Sequence, residues 1–281
     1  MQSVVVTGVS TGIGWGITKV LIQRGFQVFG SVRKTQDAER LSKEFGERFI
    51  PLLFDVTDEA AVEAAAQDVR ERLNGEKLFG LVNNAGIAAP GPLIHLPTEE
   101  FRHQLEVNLV SVLIVTKAFA PLLGVDRSLQ GQSGRIINIS SVSGTSAFPF
   151  VGAYAASKHG LEGFSETLRR ELILYGIDVI IVGPGPIATP IWDKAEQADT
   201  SLYANTDYVD AAQRAKEFMI RSGRNGLPPE KVGEVVWHAL TTRSPNTRYA
   251  VVGRGALQRF VQQLMPKRLV DRIVAKALGL K

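Results

Sequence analysis

Seven short apolar runs recur along the chain with longer amphipathic stretches between them, and this alternation constrains the fold more than any other feature. The runs are Ser3 to Thr7, Gln27 to Val32, Ile50 to Phe54, Phe79 to Asn83, Arg135 to Ser140, Asp178 to Val182 and Tyr249 to Val252. Strand-length apolar runs separated by helical periodicity predict a parallel sheet with helices on both faces. Gly14 to Arg24 and Glu59 to Leu73 carry the helical period, and Asp55 to Asp58 offer N-cap side chains ahead of the second. The expected class is α/β, a doubly wound parallel sheet of about seven strands. No internal repeat, low-complexity tract or linker breaks the pattern, so the 281 residues predict one domain. Two segments depart from the alternation. Residues 189–229 form an aromatic, helix-prone insertion suited to a substrate lid, and residues 260–281 form an amphipathic tail.

Composition narrows the chemistry. The chain has no cysteine, which removes disulfides, thiolate zinc sites and cysteine nucleophiles. Its four histidines, His95, His103, His159 and His238, have no metal-ligand spacing with acids, so no metal is expected. The net charge of +4 comes from 32 basic residues scattered among 28 acidic ones, which argues against a nucleic-acid partner. The N-terminus enters its first strand without the apolar core of a signal peptide, which predicts a cytoplasmic protein. The most apolar stretch, Leu105 to Val125, contains Glu106, Asn108 and Lys117 and reads as a buried helix rather than a bilayer span.

The first strand runs into TGVSTGIG, Thr7 to Gly14. Gly8, Gly12 and Gly14 suit a tight turn at the start of a helix, where the backbone amides of Ser10, Thr11 and Ile13, with those of the glycines, would hold phosphates. The spacing differs from the general GxGxxG fingerprint, and a plain strand-to-helix turn remains open on the glycines alone. Position favours a dinucleotide, because doubly wound sheets bind nucleotides at the carboxyl ends of their strands. The second strand ends in Ser31, Val32, Arg33 and Lys34, where an NAD site would be expected to offer an acid. Arg33 would pair with a 2′-phosphate, so NADP(H) is favoured over NAD(H).

Tyr154 and Lys158 stand four residues apart in YAASK, which places both on one face of a helix. A nearby ammonium favours the ionised phenol and brings it into range for proton transfer, although a surface pair on a helix would show the same spacing. The TGVSTGIG turn, NNAG at Asn83 to Gly86, Asn108, the ISS ending at Ser141, YAASK and PGPIAT at Pro184 to Thr189 occur in that order. Together they resemble the short-chain dehydrogenase/reductase family over about residues 3 to 253. The resemblance implies a Rossmann fold and hydride transfer between a nicotinamide dinucleotide and an alcohol, ketone or aldehyde. It makes Tyr154 the proton donor or acceptor, Lys158 the group that lowers its pKa and holds the nicotinamide ribose, and Ser141 the hydrogen-bond partner of the substrate oxygen. Asn108 would position a water linking Lys158 to solvent, a role its residue type cannot separate from bridging buried backbone. Asn83, Ala85 and Gly86 would border the cofactor, and Asp55 with Val56 would meet the adenine. Pro184, Gly185, Ile187 and Thr189 would line the nicotinamide. One departure is Gly183, where many relatives carry Asn or another residue; no loss of activity is read from it.

Phe148, Phe150, Trp192, Tyr203, Tyr208 and Phe218 would suit a lipophilic substrate, like those of the retinoid, steroid and hydroxybutyrate dehydrogenase branch the sequence resembles. The same rings would equally anchor a lid to the core. In the tail, Phe260, Val261, Leu264, Leu269, Val270, Ile273, Val274, Ala277 and Leu278 recur at helical spacing opposite Lys267, Arg268, Arg272 and Lys276. Packing on the domain or a sister subunit of a homodimer or homotetramer is favoured there over peripheral membrane contact. Three rivals stay open: a catalytically silent NADP(H) sensor, an NAD-dependent dehydrogenase of small hydroxy acids, and a nucleotide-sugar epimerase or dehydratase, for which the insertion is short.

Overall fold

The structure, a computed structural model, describes residues 1–197, 203–253 and 265–280. Seven parallel strands, β1 (Ser3–Val6), β2 (Gln27–Val32), β3 (Phe49–Leu53), β4 (Gly80–Asn83), β5 (Arg135–Ile139), β6 (Asp178–Pro184) and β7 (Arg248–Val251), form one sheet in the order β3-β2-β1-β4-β5-β6-β7. The seven apolar runs are these strands, each shifted by no more than a residue or two. β6 runs on to Pro184 because Ile181 to Pro184 pair in register with Arg248 to Val251. The chain order reverses between β1 and β4, which opens a crevice at the carboxyl edge of the sheet.

Burial on both faces explains why the strands read as continuous apolar runs. Val4 and Val6 of β1, Ile137 and Ile139 of β5, and Ile180 and Val182 of β6 point to one face. There they meet Ile17 and Leu21 of α1 (Gly12–Gln23), Leu41 of α2 (Thr35–Phe45) and Val232 and Val236 of a helix at Glu230–Thr241. Val5, Phe29, Ile136 and Val179 take the alternate positions. They pack on Val62 and Val69 of α3 (Glu59–Leu73), whose N-cap Asp58 accepts from the Ala61 amide.

On that second face, α4 (Thr98–Leu105) continues through a π-helical turn at Glu106–Val110 into α5 (Ser111–Ala120). The continuous helix Thr98–Val125 is long and apolar enough to cross a bilayer, so the charges read from the sequence do not decide its place. Burial does. Val107, Val112, Val115, Phe119, Leu122 and Leu123 are buried in the protein, and truncating the fully buried Phe119 would cost about 3–5 kcal/mol.

After β5, α6 (Gly152–Glu171) leads to β6. The insertion after β6 holds α7 (Ile191–Gln197) and α8 (Val209–Arg224), followed by α9 (Glu230–Thr241). In the tail, α10 (Lys267–Leu278) packs Val274 and Leu278 against Ala211 and Ala215 of α8. Phe260, Val261 and Leu264 of the tail pattern lie outside the described residues.

Candidate active site

The glycine turn is held by side chains of three strands' ends. Thr7 Oγ1 accepts from the Asn84 and Ala85 amides at 2.9 and 3.0 Å, and Ser31 Oγ accepts from the Gly8 amide at 2.9 Å. Asn84 Nδ2 donates to the Thr7 and Gly8 carbonyls at 2.8 and 3.1 Å. Gly8 and Gly12 adopt φ of +69° and +64°, which L side chains rarely tolerate. At Gly14 even a β-carbon would lie 2.2 Å from the Gly8 carbonyl oxygen. The N-cap Thr11 makes no side-chain capping bond. The first-turn amides of Gly12, Ile13 and Gly14 therefore face the cradle with no partner inside the helix, an arrangement that fits an anionic pyrophosphate. Thr189 approaches from the β6 side, its side chain 3.4 Å from where a Gly12 β-carbon would stand.

The predicted nucleotide contacts divide. Arg33 and Asp55, at the ends of β2 and β3, lie together as an ion pair at 3.5 Å. Burial would raise the Asp55 carboxyl, but hydrogen bonds from the Thr57 amide and hydroxyl and the Arg33 guanidinium outweigh it and hold the group below its usual range. Val56 is buried in the core, which leaves its backbone for any adenine contact. Asn83, expected to border the cofactor, also ties the sheet together: its amide donates to Asn138 Oδ1 at 2.9 Å and Thr116 Oγ1 at 3.3 Å, a buried strut among β4, β5 and α5. Sequence reasoning passed over Thr7, Ser31 and Asn84, which shape the turn, and Arg40, which donates to the Ser10 carbonyl at 2.7 Å. Asn84 was inside a quoted motif; Arg40 sits mid-helix and carries no local signal.

Across the crevice, the carboxyl end of β5 presents Ser141 and the first turns of α6 present Tyr154 and Lys158. The Tyr154 phenol is hydrogen-bonded to Ser141. Lys158 is buried, donates to the Ile139 carbonyl at 2.9 Å, and holds its ammonium 5.8 Å from the Tyr154 ring centre. Burial pulls the Lys158 pKa down to about 8, opposed by the Glu162 carboxylate. Burial also pushes the Tyr154 phenol above its ordinary value, although the Ser141 bond opposes it. Desolvation thus outweighs the Ser141 hydrogen bond, and the phenol is raised where the sequence predicts it lowered.

Asn108 projects inward from the π turn, a distortion frequent at functional sites. Its Oδ1 accepts from the Ile87 amide at 2.8 Å, and its Nδ2 donates to the Ile87 carbonyl at 2.9 Å and Ser157 Oγ at 3.0 Å. Ser157 donates in turn to the Tyr154 carbonyl at 2.7 Å. Asn108 therefore ties the loop after β4 to α6, with Ser157 as an intermediate that the sequence reading missed. His159 turns away, its Nδ1 paired with the Ala155 carbonyl at 2.9 Å.

The aromatic inventory mostly anchors the lid. Phe150 meets Tyr208 edge-on, and Tyr208 meets His95 in the same way. Trp192 donates to the Ile187 carbonyl at 2.7 Å and packs so close to Gly223 that no β-carbon fits between. Phe218, 49% exposed, stacks on Phe148 at 5.8 Å between ring centres. That pair is the part of the set left to meet a ligand.

A glycine cradle whose free amides fit an anionic pyrophosphate stands across the crevice from a phenol beside a hydroxyl, an arrangement that suits oxidoreductase chemistry. The chain belongs to the short-chain dehydrogenase family, whose model, described as short chain dehydrogenase, matches residues 2–200. It is 38% identical over 278 residues to the NADPH-dependent 3-dehydrocapnine reductase of Ornithobacterium rhinotracheale, covering 99% of this chain and 98% of that one. It is 35% identical to human retinol dehydrogenase 5 over 292 residues, covering 98% and 88%. Among solved structures, the closed form of serine dehydrogenase complexed with NADP+ superposes with a TM-score of 0.73 at 26% identity, covering 90% and 95%.

Proposed function

We propose that this protein is an NADP(H)-dependent reductase of a lipophilic ketone or aldehyde, running in reverse on the alcohol. The observation that carries the reading is the Ser141 and Tyr154 pair beside Lys158, across the crevice from the glycine cradle. A bound nicotinamide dinucleotide supplies the hydride. Ser141 and Tyr154 hydrogen-bond the substrate oxygen, and Tyr154 gives it a proton as charge develops there. The raised phenol pKa keeps that proton in place near neutrality, which suits the reducing direction. Lys158 restores charge balance beside the phenol and holds the nicotinamide ribose, while Asn108 fixes the helix that carries both. Arg33 at the end of β2, with no acid in its place, supports NADP(H), as does the name of the NADPH-dependent relative. Phe148 and Phe218 supply an apolar wall, and one relative acts on retinol, an apolar alcohol.

The test is the absorbance change at 340 nm when NADPH or NADH meets a panel of lipophilic and small carbonyls, with Tyr154→Phe beside the wild type. Turnover that needs Tyr154 supports the reading. Cofactor binding with no turnover on any carbonyl moves the weight to a silent NADP(H) sensor.

We further propose a cytoplasmic homo-oligomer of one domain per chain. Peripheral membrane contact has one observation in its favour: Leu269 and Ile273 of α10, and Leu280 just beyond it, are exposed near Arg272 and Lys276. Sedimentation with anionic vesicles, lost in the Leu269→Glu and Ile273→Glu double variant, would support it. The absence of sedimentation would sink it.

A further inference from the structure

Behind the proton-transfer site lies a charged cluster that the functional reading does not use. Glu162, one turn beyond Lys158 on α6, accepts from Ser140 Oγ at 2.6 Å through Oε1. Arg248, at the start of β7, grips the same carboxylate, donating through Nε to Oε2 at 3.0 Å and through Nη2 to Oε1 at 3.2 Å. The same Nη2 also reaches the Ser141 carbonyl at 3.4 Å. The Glu162 side chain is only 14% exposed, so this is a largely desolvated, bidentate ion pair rather than a surface one.

The backbone around the cluster is cleared for it. A β-carbon at Gly144 would stand 2.6 Å from Ser140 Oγ and 2.8 Å from Glu162 Oε1. One at Gly183 would stand 2.5 Å from Arg248 Nη2. Gly183, the position where the sequence leaves the family pattern, is thus the space that the guanidinium occupies.

We propose that Glu162 is a positioning residue which, clamped by Arg248 in the space left by Gly183, fixes the strand end bearing Ser141 and supplies the counter-charge that keeps Lys158 an ammonium. The inference rests on the proton-transfer role given to Ser141, Tyr154 and Lys158. Two links connect the clamp to that role. One is mechanical: Ser140 is bonded through its side chain to Glu162, while its neighbour Ser141 is reached through its carbonyl by Arg248. The other is electrostatic. Lys158 stands one turn before Glu162 on α6, with Tyr154 on the same helix, the Ile139 carbonyl from β5, the Gly86 turn after β4 and the π turn that carries Asn108 around it, and Arg248 behind Glu162. Among the described residues around it, the Glu162 carboxylate is the anion that opposes the desolvation of the Lys158 ammonium.

The two links separate experimentally. The titration of Lys158 can be followed by NMR of 13C-labelled lysine, with its signal assigned by its loss in Lys158→Met; this needs neither cofactor nor substrate. Glu162→Gln, which keeps the shape and removes the charge, should move the midpoint below its starting value of about 8. Arg248→Gln, which leaves the carboxylate less neutralised, should move it upward. Each shift should be about half a pH unit or more. Ser140→Ala, which is charge-neutral, should leave the midpoint in place and lower kcat for carbonyl reduction by about tenfold with little change in KM.

Midpoints that stay put in both charge variants overturn the electrostatic role, and midpoints that move the same way in both report loosened packing and overturn it equally. Unchanged kcat in Ser140→Ala overturns the mechanical role. If Glu162→Gln fails to fold, the upward shift in Arg248→Gln, with Glu162→Asp holding near the wild-type midpoint, still decides the question. If the wild type turns over no carbonyl while the midpoints shift as expected, the functional reading fails and the electrostatic clamp stands.

Discussion

The crevice and the aromatic insertion after β6 are held together by different physics. Around the glycine turn and the catalytic helix, Thr7, Ser31, Asn84, Asn108 and Ser157 are fixed by directed hydrogen bonds of 2.7–3.1 Å. Where the insertion meets the loop before α6, Phe148, Phe150, Tyr208 and Phe218 meet as rings whose centres lie 5.8–6.0 Å apart, at interplanar angles from 26° to 76°. Hydrogen-bond networks accept one geometry and penalise any other by leaving buried groups unpaired, whereas ring contacts tolerate a range. The arrangement suits a protein whose chemistry is fixed and whose substrate surface is free to vary.

Variants on the two sides should therefore fail in different ways. The largest effect is expected from Tyr154→Phe, which removes the transferable proton and should lower kcat/KM for carbonyl reduction by about 10²–10⁴-fold. NADPH affinity should barely change, as read by cofactor fluorescence. A variant that loses cofactor binding and turnover together would show that the phenol is a structural prop. Gly14→Val comes next. Its β-carbon would collide with the Gly8 carbonyl and the Asn84 amide at 2.2 and 2.5 Å, so the turn must open. NADPH affinity should fall by about 30-fold or more, the scale of an overpacked rigid site. In contrast, Phe218→Ala should raise KM for a bulky ketone by about fivefold and leave NADPH affinity alone, since a half-exposed ring stacked on one partner contributes about 1 kcal/mol. A fall in NADPH affinity for Phe218→Ala would break the division between crevice and lid.

The division also governs what could be read before the structure. Strand positions were legible because both sheet faces are buried, and apolar runs such as Val4 to Val6 or Ile136 to Ile139 have no other stable place. Tyr154 and Lys158 stood out by their spacing on one helix, and with Ser141 took on roles only through the ordered motifs that resemble the family. Glu162 and Arg248 were not: they are 86 residues apart, and each alone looks like a solvated surface charge. The partners of Asn83, Asn138 and Thr116, were hidden for the related reason that they come from a strand and a helix distant along the chain. The lid aromatics were visible as an inventory, but composition could not say that Trp192, Phe150 and Tyr208 anchor while Phe218 faces outward.

The smallest effect expected concerns stability, and it exposes what the crevice costs the fold. Lys158 is buried and its pKa is lowered from the ordinary 10.5 to about 8. Below pH 8 the folded and unfolded chains both carry this proton, and the folded state bears the full desolvation of the ammonium. Between pH 8 and about 10.5 the unfolded chain holds the proton while the folded chain has released it, so the contribution of Lys158 to stability improves as pH rises through that window. Lys158→Met should therefore stabilise the protein at pH 7. The gain is offset by the Ile139 carbonyl left without its donor, so a net increase of about 1 kcal/mol is expected, seen as a Tm higher by a few degrees, together with near-complete loss of turnover. By pH 10 the advantage should be gone and the order reversed, with Lys158→Met the less stable of the two. A Lys158→Met protein less stable than wild type at pH 7 would mean that the ammonium's partners in the crevice more than offset its burial, and that the site is part of what holds the fold together.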